Sequence, residues 1–211
     1  DITPISLGTG SFGGSVPVKD GVMLLDYFRE HGGTFIDTAL AYVDWYEGER
    51  SISEKTIGRW MKERGCRDEL TISAKGCLGK VLEPTNDLST AVFTEKKMHK
   101  PDIIAEIEDT RYCLQTDYLN IFTLHADNES VEVGEILETL QEQKDKGVIQ
   151  AYGCSNWRVQ RQKQAYEYAQ KNGLDGFMVD QIKWSLNTFA QGALSEDDCP
   201  SGASGWTQIF R

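Results

Sequence analysis

Thr34-Phe35-Ile36-Asp37-Thr38-Ala39-Leu40-Ala41-Tyr42 reads as a short buried strand that runs into an acid, with a tyrosine on the loop that follows. Three later apolar runs end in the same manner. Leu70–Ala74 leads to Lys75, Tyr118–Leu124 to His125, and Val148–Gly153 to Cys154-Ser155-Asn156. A first strand, Ile5–Leu7, precedes the glycine-rich Gly8–Gly14, and a sixth, Phe177–Ile182, carries Asp180 and Gln181. Between the strands lie segments of helical period. Val22, Leu25 and Phe28 mark one; Ile57, Trp60 and Met61 the second; Ile103, Ile107 and Leu114 the third. Val133, Ile136, Leu137 and Leu140 mark the fourth, and a fifth runs from about Trp157 to Lys171. These spacings place apolar side chains on one face of a helix. Gly32-Gly33, Gly65, Gly147 and Asn172-Gly173 supply the stops. Ser51-Ile52-Ser53-Glu54 predicts a capping box at the start of the second helix. Residues 76–100 break every period and read as a long loop.

Short apolar strands alternating with amphipathic helices predict a parallel α/β sheet. The polar residues fall at the carboxyl ends of successive strands, where a (β/α)8 TIM barrel carries its site. Only six strands are visible, against the eight of a closed barrel of about 250 residues. The pattern fades after Asn187. The expectation is one incomplete barrel domain over 1–211, with two βα units truncated, unrecorded or supplied by a partner.

Composition narrows the functional classes. The chain has 211 residues, 39% hydrophobic and 26% charged, enough for one sizeable core. Its net charge of -11, with no Lys/Arg run, argues against a nucleic-acid partner. Five cysteines, odd in number and without a C-x-x-C, suit reduced thiols and a cytoplasmic location. Three histidines, none at H-x-x-x-H spacing, leave little basis for a metal site. No apolar run approaches the roughly 20 residues of a membrane span, and the given N-terminal stretch, which starts at Asp1 rather than Met, shows no signal-peptide pattern. Nothing in the sequence sets an oligomeric state.

Gly8-x-Gly10-x-x-Gly13 has dinucleotide-fingerprint spacing, but that motif needs a helix to begin within it. Gly14-Ser15-Val16-Pro17 intervenes, which argues against a Rossmann reading. Asp37, Tyr42, Lys75 and His125 make a stronger set. A phenol has a pKa of about 10, and an adjacent ammonium is expected to lower it. Asp37 can hold that ammonium, and His125 can bond a substrate oxygen. Such a group protonates a carbonyl oxygen while hydride attacks its carbon, which suggests a nicotinamide. Singly, each residue has a plainer use. An acid after a strand caps a loop, a Lys or His sits on a solvated rim, Tyr42 packs, and Ser155-Asn156 caps a helix. The joint occurrence on successive strand ends weighs against those uses. Gln181 on a buried strand needs partners, which a carboxamide could supply.

At these residues the sequence resembles the aldo-keto reductase family. The matching segments are Leu7–Gly10, Phe35–Ala39 with Tyr42, Ser53-Glu54 with Ile57-Gly58, Ser73–Lys75, Asp117-Tyr118 with Leu124-His125, Gly153–Trp157 and Val179–Ile182. The resemblance implies a (β/α)8 barrel that reduces a small aldehyde or ketone with NADP(H), ahead of NAD(H). By it, Tyr42 is the general acid, tuned by Lys75 and Asp37, and His125 orients the carbonyl. Ser155, Asn156 and Gln181 clamp the nicotinamide, Asp37 adjoins it, and Gly8, Thr9 and Gly10 line the first cofactor loop. Trp184 stands where an aromatic often follows that glutamine. The N-terminal hairpin and the last two strands have no counterpart, and the latter would bring the adenosine-phosphate grip. A non-catalytic regulatory subunit or an inactive fragment on the same fold is the alternative.

Overall fold

The computed structural model describes residues 2–182. Trp184, Cys199 and the segment after Asn187 lie outside the described residues, as does part of the 1–211 domain assignment. In chain order the elements are β1 (Ser6–Gly8), α1 (Val18–Glu30), β2 (Phe35–Asp37), α2 (Ile52–Arg64), β3 (Thr71–Gly76) and α3 (Lys100–Leu114). They continue with β4 (Leu119–Leu124), α4 (Val133–Asp145), β5 (Ile149–Ser155), α5 (Val159–Asn172) and β6 (Val179–Gln181). The strands form one sheet in the order β1-β2-β3-β4-β5-β6, every neighbouring pair parallel. This is six strands of a (β/α)8 barrel, each helix returning the chain to the next strand.

Burial explains the alternation. Ile36, Ile72, Phe122 and Tyr152 are fully buried on the strands, and Leu25, Ile57, Trp60, Ile107, Leu137 and Leu140 meet them from the helices. Gly65 and Gly173 terminate α2 and α5 in the left-handed conformation, φ 60° and 68°, as a glycine after a helix end does. α1 begins at Val18, a turn ahead of the Val22 that opens its apolar stripe, with Pro17 supplying the extended residue before it. It lies beyond the Gly8–Gly13 motif, so no helix N-terminus opens within that loop. The strand β3 runs through Lys75 to Gly76, so the lysine is a strand residue.

The capping box does not form. Ser51 adopts φ 54°, ψ 31°, and its side chain bonds no helix amide. Asp44 Oδ1 instead accepts the Ser51 N–H at 2.7 Å. Glu54 turns inward, fully buried. The loop over 77–99 is largely irregular, with one antiparallel bridge, Val81 to Phe93. It is moored to the loop after β2: Thr85 N and Asn86 N both donate to Trp45 O, at 3.0 and 2.8 Å, and Arg50 donates to Val81 O at 3.0 Å.

α2 and α3 approach closely at Gly58. A Cβ there would stand 2.3 Å from Cys113 O and 2.7 Å from the Leu114 carbonyl carbon, both rigid helix backbone. Overpacking of this kind costs about 1–3 kcal/mol, against the roughly 1 kcal/mol by which alanine is the better helix former. Gly58→Ala is therefore expected to lower the urea midpoint. A midpoint at or above that of the wild type would show that the two helices separate without penalty.

Candidate active site

The sheet register brings the polar strand ends together. Asp37 pairs with Ser73, Lys75 with Thr123, Leu124 with Cys154, and Ser155 with Gln181. Past Asp37 the chain stays pinned to β3, with Thr38 N donating to Ser73 O and Leu40 N to Lys75 O, both at 2.9 Å. His125 is held likewise, its amide donating to Gly76 O at 2.8 Å.

Lys75 is 2% exposed, and its Nζ lies 2.6 Å from Asp37 Oδ1. The ammonium also donates to Thr38 O at 3.1 Å. Tyr42 Oη donates to the other Asp37 oxygen at 3.4 Å. Lys75 Nζ lies 5.0 Å from the centre of the Tyr42 ring, and the His125 ring meets Tyr42 edge-on at 5.6 Å between centroids. The four residues singled out in the sequence thus form one contiguous group.

Their electrostatics differ from the sequence expectation in one respect. The Tyr42 phenol is pushed above its ordinary value, by burial first and then by the Asp37 carboxylate. The physical reason is direction. The ammonium is aimed at Asp37 and Thr38, so the polar neighbour of the hydroxyl is an anion. Burial lowers Lys75, and Asp37 and then Glu54 oppose that shift. Burial and the nearby Lys75 hold His125 down to about 3, so the imidazole is neutral at ordinary pH. Its Nδ1 is sealed and has no hydrogen-bond partner among the described residues, which leaves Nε2 as the ring's outward nitrogen.

At the next strand ends, Ser155 Oγ and Asn156 N both donate to Gln181 O, at 2.9 and 3.1 Å, and Asn156 Nδ2 donates to Ser155 Oγ at 3.2 Å. Ser155, Asn156 and Gln181 therefore sit together beside the tetrad. The Ser155 hydroxyl and the Asn156 amide, side by side, offer the donor and acceptor types that a carboxamide such as nicotinamide's pairs with, while Gln181 meets them here through its backbone carbonyl. In the first loop Gly8 is open, and the Cβ position of Gly10 lies 3.8 Å from the Tyr42 ring. Thr9 is fully buried. Its hydroxyl and amide both donate to Asp37 O at 3.0 Å, and Ser53 Oγ contacts Thr9 O and Oγ1 at 2.9 Å. The Thr9 side chain ties the loop to Asp37 and to α2.

Two features escaped the sequence reading. Glu54, fully buried, has both carboxylate oxygens without a hydrogen-bond partner among the described residues, and burial pushes its carboxyl well up. Arg161 is 9% exposed, at the head of the stripe that Ala165 and Ala169 continue on α5. An arginine in register with two buried alanines was the available signal. Cys66, Cys77, Cys113 and Cys154 are buried and free, as expected for reduced thiols. Among the described residues no helix is long and apolar enough to cross a membrane, and no cluster of His, Cys, Asp and Glu is arranged to hold a metal ion.

A parallel sheet with its titratable groups gathered at the strands' carboxyl ends defines the active-site side of a (β/α) barrel. Within that class, the chain belongs to the Aldo/keto reductase family, whose model matches residues 4–196. The norsolorinic acid reductase stcV of Emericella nidulans is 31% identical over 196 residues, covering 88% of this chain and 48% of that protein. The aryl-alcohol dehydrogenase [NADP(+)] of Phanerodontia chrysosporium is 28% identical over 198 residues, covering 88% of this chain and 49% of that protein. The chain spans about half the length of such curated relatives. In fold it is similar to an aldo-keto reductase from Klebsiella pneumoniae in complex with NADPH, with a TM-score of 0.65 and 22% identity over 87% of this chain and 55% of that one.

The depressed His125 makes a pH prediction. In the unfolded chain its imidazole gains a proton below about 6.5, whereas the folded site refuses it until about 3. The unfolded state binds more protons across that window, so stability falls as pH drops through it. His125→Gln removes that contribution. Its urea midpoint should fall less steeply than the wild type's between about pH 6.5 and 4; an equal slope would mean that the folded imidazole is charged.

Proposed function

We propose that this chain carries the proton-donating site of an NADP(H)-dependent carbonyl reductase, with Tyr42 as general acid. The observation that carries the reading is Asp37, which holds Lys75 on one carboxylate oxygen and the Tyr42 hydroxyl on the other. A phenol held protonated by burial is a competent donor to an alkoxide, which is a far stronger base. Neutral His125 faces the same cleft, and its outward Nε2–H can bond the carbonyl oxygen and orient it. The donors are fixed before the charge appears, which is the arrangement that stabilises a developing oxyanion.

The bound cofactor supplies the hydride. Ser155, Asn156 and Gln181 would hold its carboxamide, with the first loop, Gly8 to Gly10, along its side. NADP(H) is favoured over NAD(H) by the bound state of the Klebsiella structure and by the name of the Phanerodontia relative. That name also supports a small aromatic aldehyde as the first substrate to try.

Tyr42→Phe should reduce kcat for benzaldehyde by at least about a hundredfold, the scale of general acid catalysis. NADPH should quench tryptophan fluorescence in both proteins with Kd unchanged within about threefold. Turnover retained in the variant would remove Tyr42 from the acid role. A wild-type protein that binds NADPH and reduces no carbonyl would favour a non-catalytic subunit.

A further inference from the structure

We infer that Arg161 is a positioning residue that locks the loop carrying His125 to the turn carrying Ser155 and Asn156. The inference rests on the reductase reading for what those residues do, and on geometry for the lock itself.

Arg161 reaches two loops at once. Its Nε lies 3.3 Å from Asp127 Oδ2 and 3.5 Å from Oδ1, and its guanidinium donates to Val131 O. Asp127 and Val131 belong to the loop between β4 and α4, and Asp127 stands two residues after His125. On its other side the guanidinium lies 5.5 Å from the centre of the Trp157 ring. Trp157 directly follows Asn156, is 2% exposed, and meets Phe177 edge-on at 4.9 Å. The next residue, Gln162, grips the same turn. Its Nε2 donates to Trp157 O at 2.8 Å and to Asp180 Oδ2 at 3.2 Å. Asp180 in turn precedes Gln181 on β6.

The cost of this arrangement argues that it sets position. Burying a guanidinium and a carboxylate side by side forfeits hydration, and an apolar pair of similar volume is often as stable. A planar fork that bonds one loop and lies over the indole of the other fixes both partners in direction, which a lysine or an aliphatic side chain cannot do. The linked loops hold the group that orients the carbonyl and the groups that hold the cofactor. Their separation sets how the reacting carbons meet, and an error of about 1 Å there can cost about a hundredfold in rate.

The test uses the wild type with Arg161→Ala, Arg161→Lys, Asp127→Asn and the Asp127→Asn/Arg161→Ala double variant. The first readout is amide exchange under native conditions at His125, bonded to Gly76 O, and Asn156, bonded to Gln181 O. Asp127→Asn, a change in one loop, should speed exchange at Asn156 in the other by about tenfold. The double variant should be no worse than the worse single, the signature of one shared interaction. In turnover, kcat with NADPH should fall at least about tenfold while KM for the aldehyde moves less than about threefold. Arg161→Lys should recover little, since it keeps the charge and loses the planar fork. Exchange confined to the mutated loop, additive losses, or kcat within twofold of wild type in a folded Arg161→Lys would each overturn the inference. A wild type without carbonyl turnover would overturn the reductase reading instead, and the exchange data would still decide the lock.

Discussion

The Lys75–Asp37 ion pair is the constraint around which the rest of the site is disposed. It is short, 2.6 Å, and its lysine is sealed from water. Such a pair is weak evidence for stability, because two desolvated charges recover little more than they forfeit. Removing one partner is another matter, costing about 3–5 kcal/mol through the stranded charge. What the pair fixes is the orientation of a carboxylate. One oxygen is committed to the ammonium, and the other is left for the Tyr42 hydroxyl.

The frame holding Asp37 is built from backbone and small hydroxyls. Its carbonyl accepts both the amide and the hydroxyl of Thr9, and Ser53 on α2 contacts Thr9 in turn. Asp44 then ties the far side of the Tyr42 loop to the start of α2 through Ser51 N. The loop is thus anchored to β3 at its near end and to α2 at its far end. A phenol carried on a loop gains the fixity of a sheet residue, which a preorganised site requires.

Much of this was legible in the sequence, for reasons that particular residues show. Apolar runs at strand length and helical stripes such as Val133, Ile136, Leu137 and Leu140 report burial directly, and burial decides the elements. Parallel strands point the same way, so Asp37, Lys75, His125 and Ser155 at successive strand ends had to share one side of the sheet. Direction at the scale of a single bond was not legible. Ser51-x-x-Glu54 has the letters of a capping box, yet the left-handed conformation of Ser51 turns its hydroxyl away, and Asp44 takes the amide. Asp37 holds the Lys75 ammonium as expected, but the phenol that this ammonium was expected to lower is raised, by burial first and then by Asp37. Arg161 showed only as a charged residue in register with Ala165 and Ala169, on a helix too polar for that stripe to stand out.

The electrostatics of the site follow from one cation meeting more than one acid. Glu54 is pulled toward ionisation by Lys75, but burial dominates, and Glu106, Asp44 and Asp109 add to it. The ammonium is at hydrogen-bond distance from Asp37, while both Glu54 carboxylate oxygens lack a hydrogen-bond partner among the described residues, and burial pushes Glu54 toward its protonated form. Burial also holds the Tyr42 phenol protonated and the His125 imidazole neutral. Lys75 and Asp37 are paired with each other at 2.6 Å in the buried part of the site. On the proposed reading, an oxygen gaining negative charge beside Tyr42 and His125 would meet neutral donors backed by that pair. The cost of burying a phenolate is what keeps the Tyr42 proton in place until so strong a base as an alkoxide could take it.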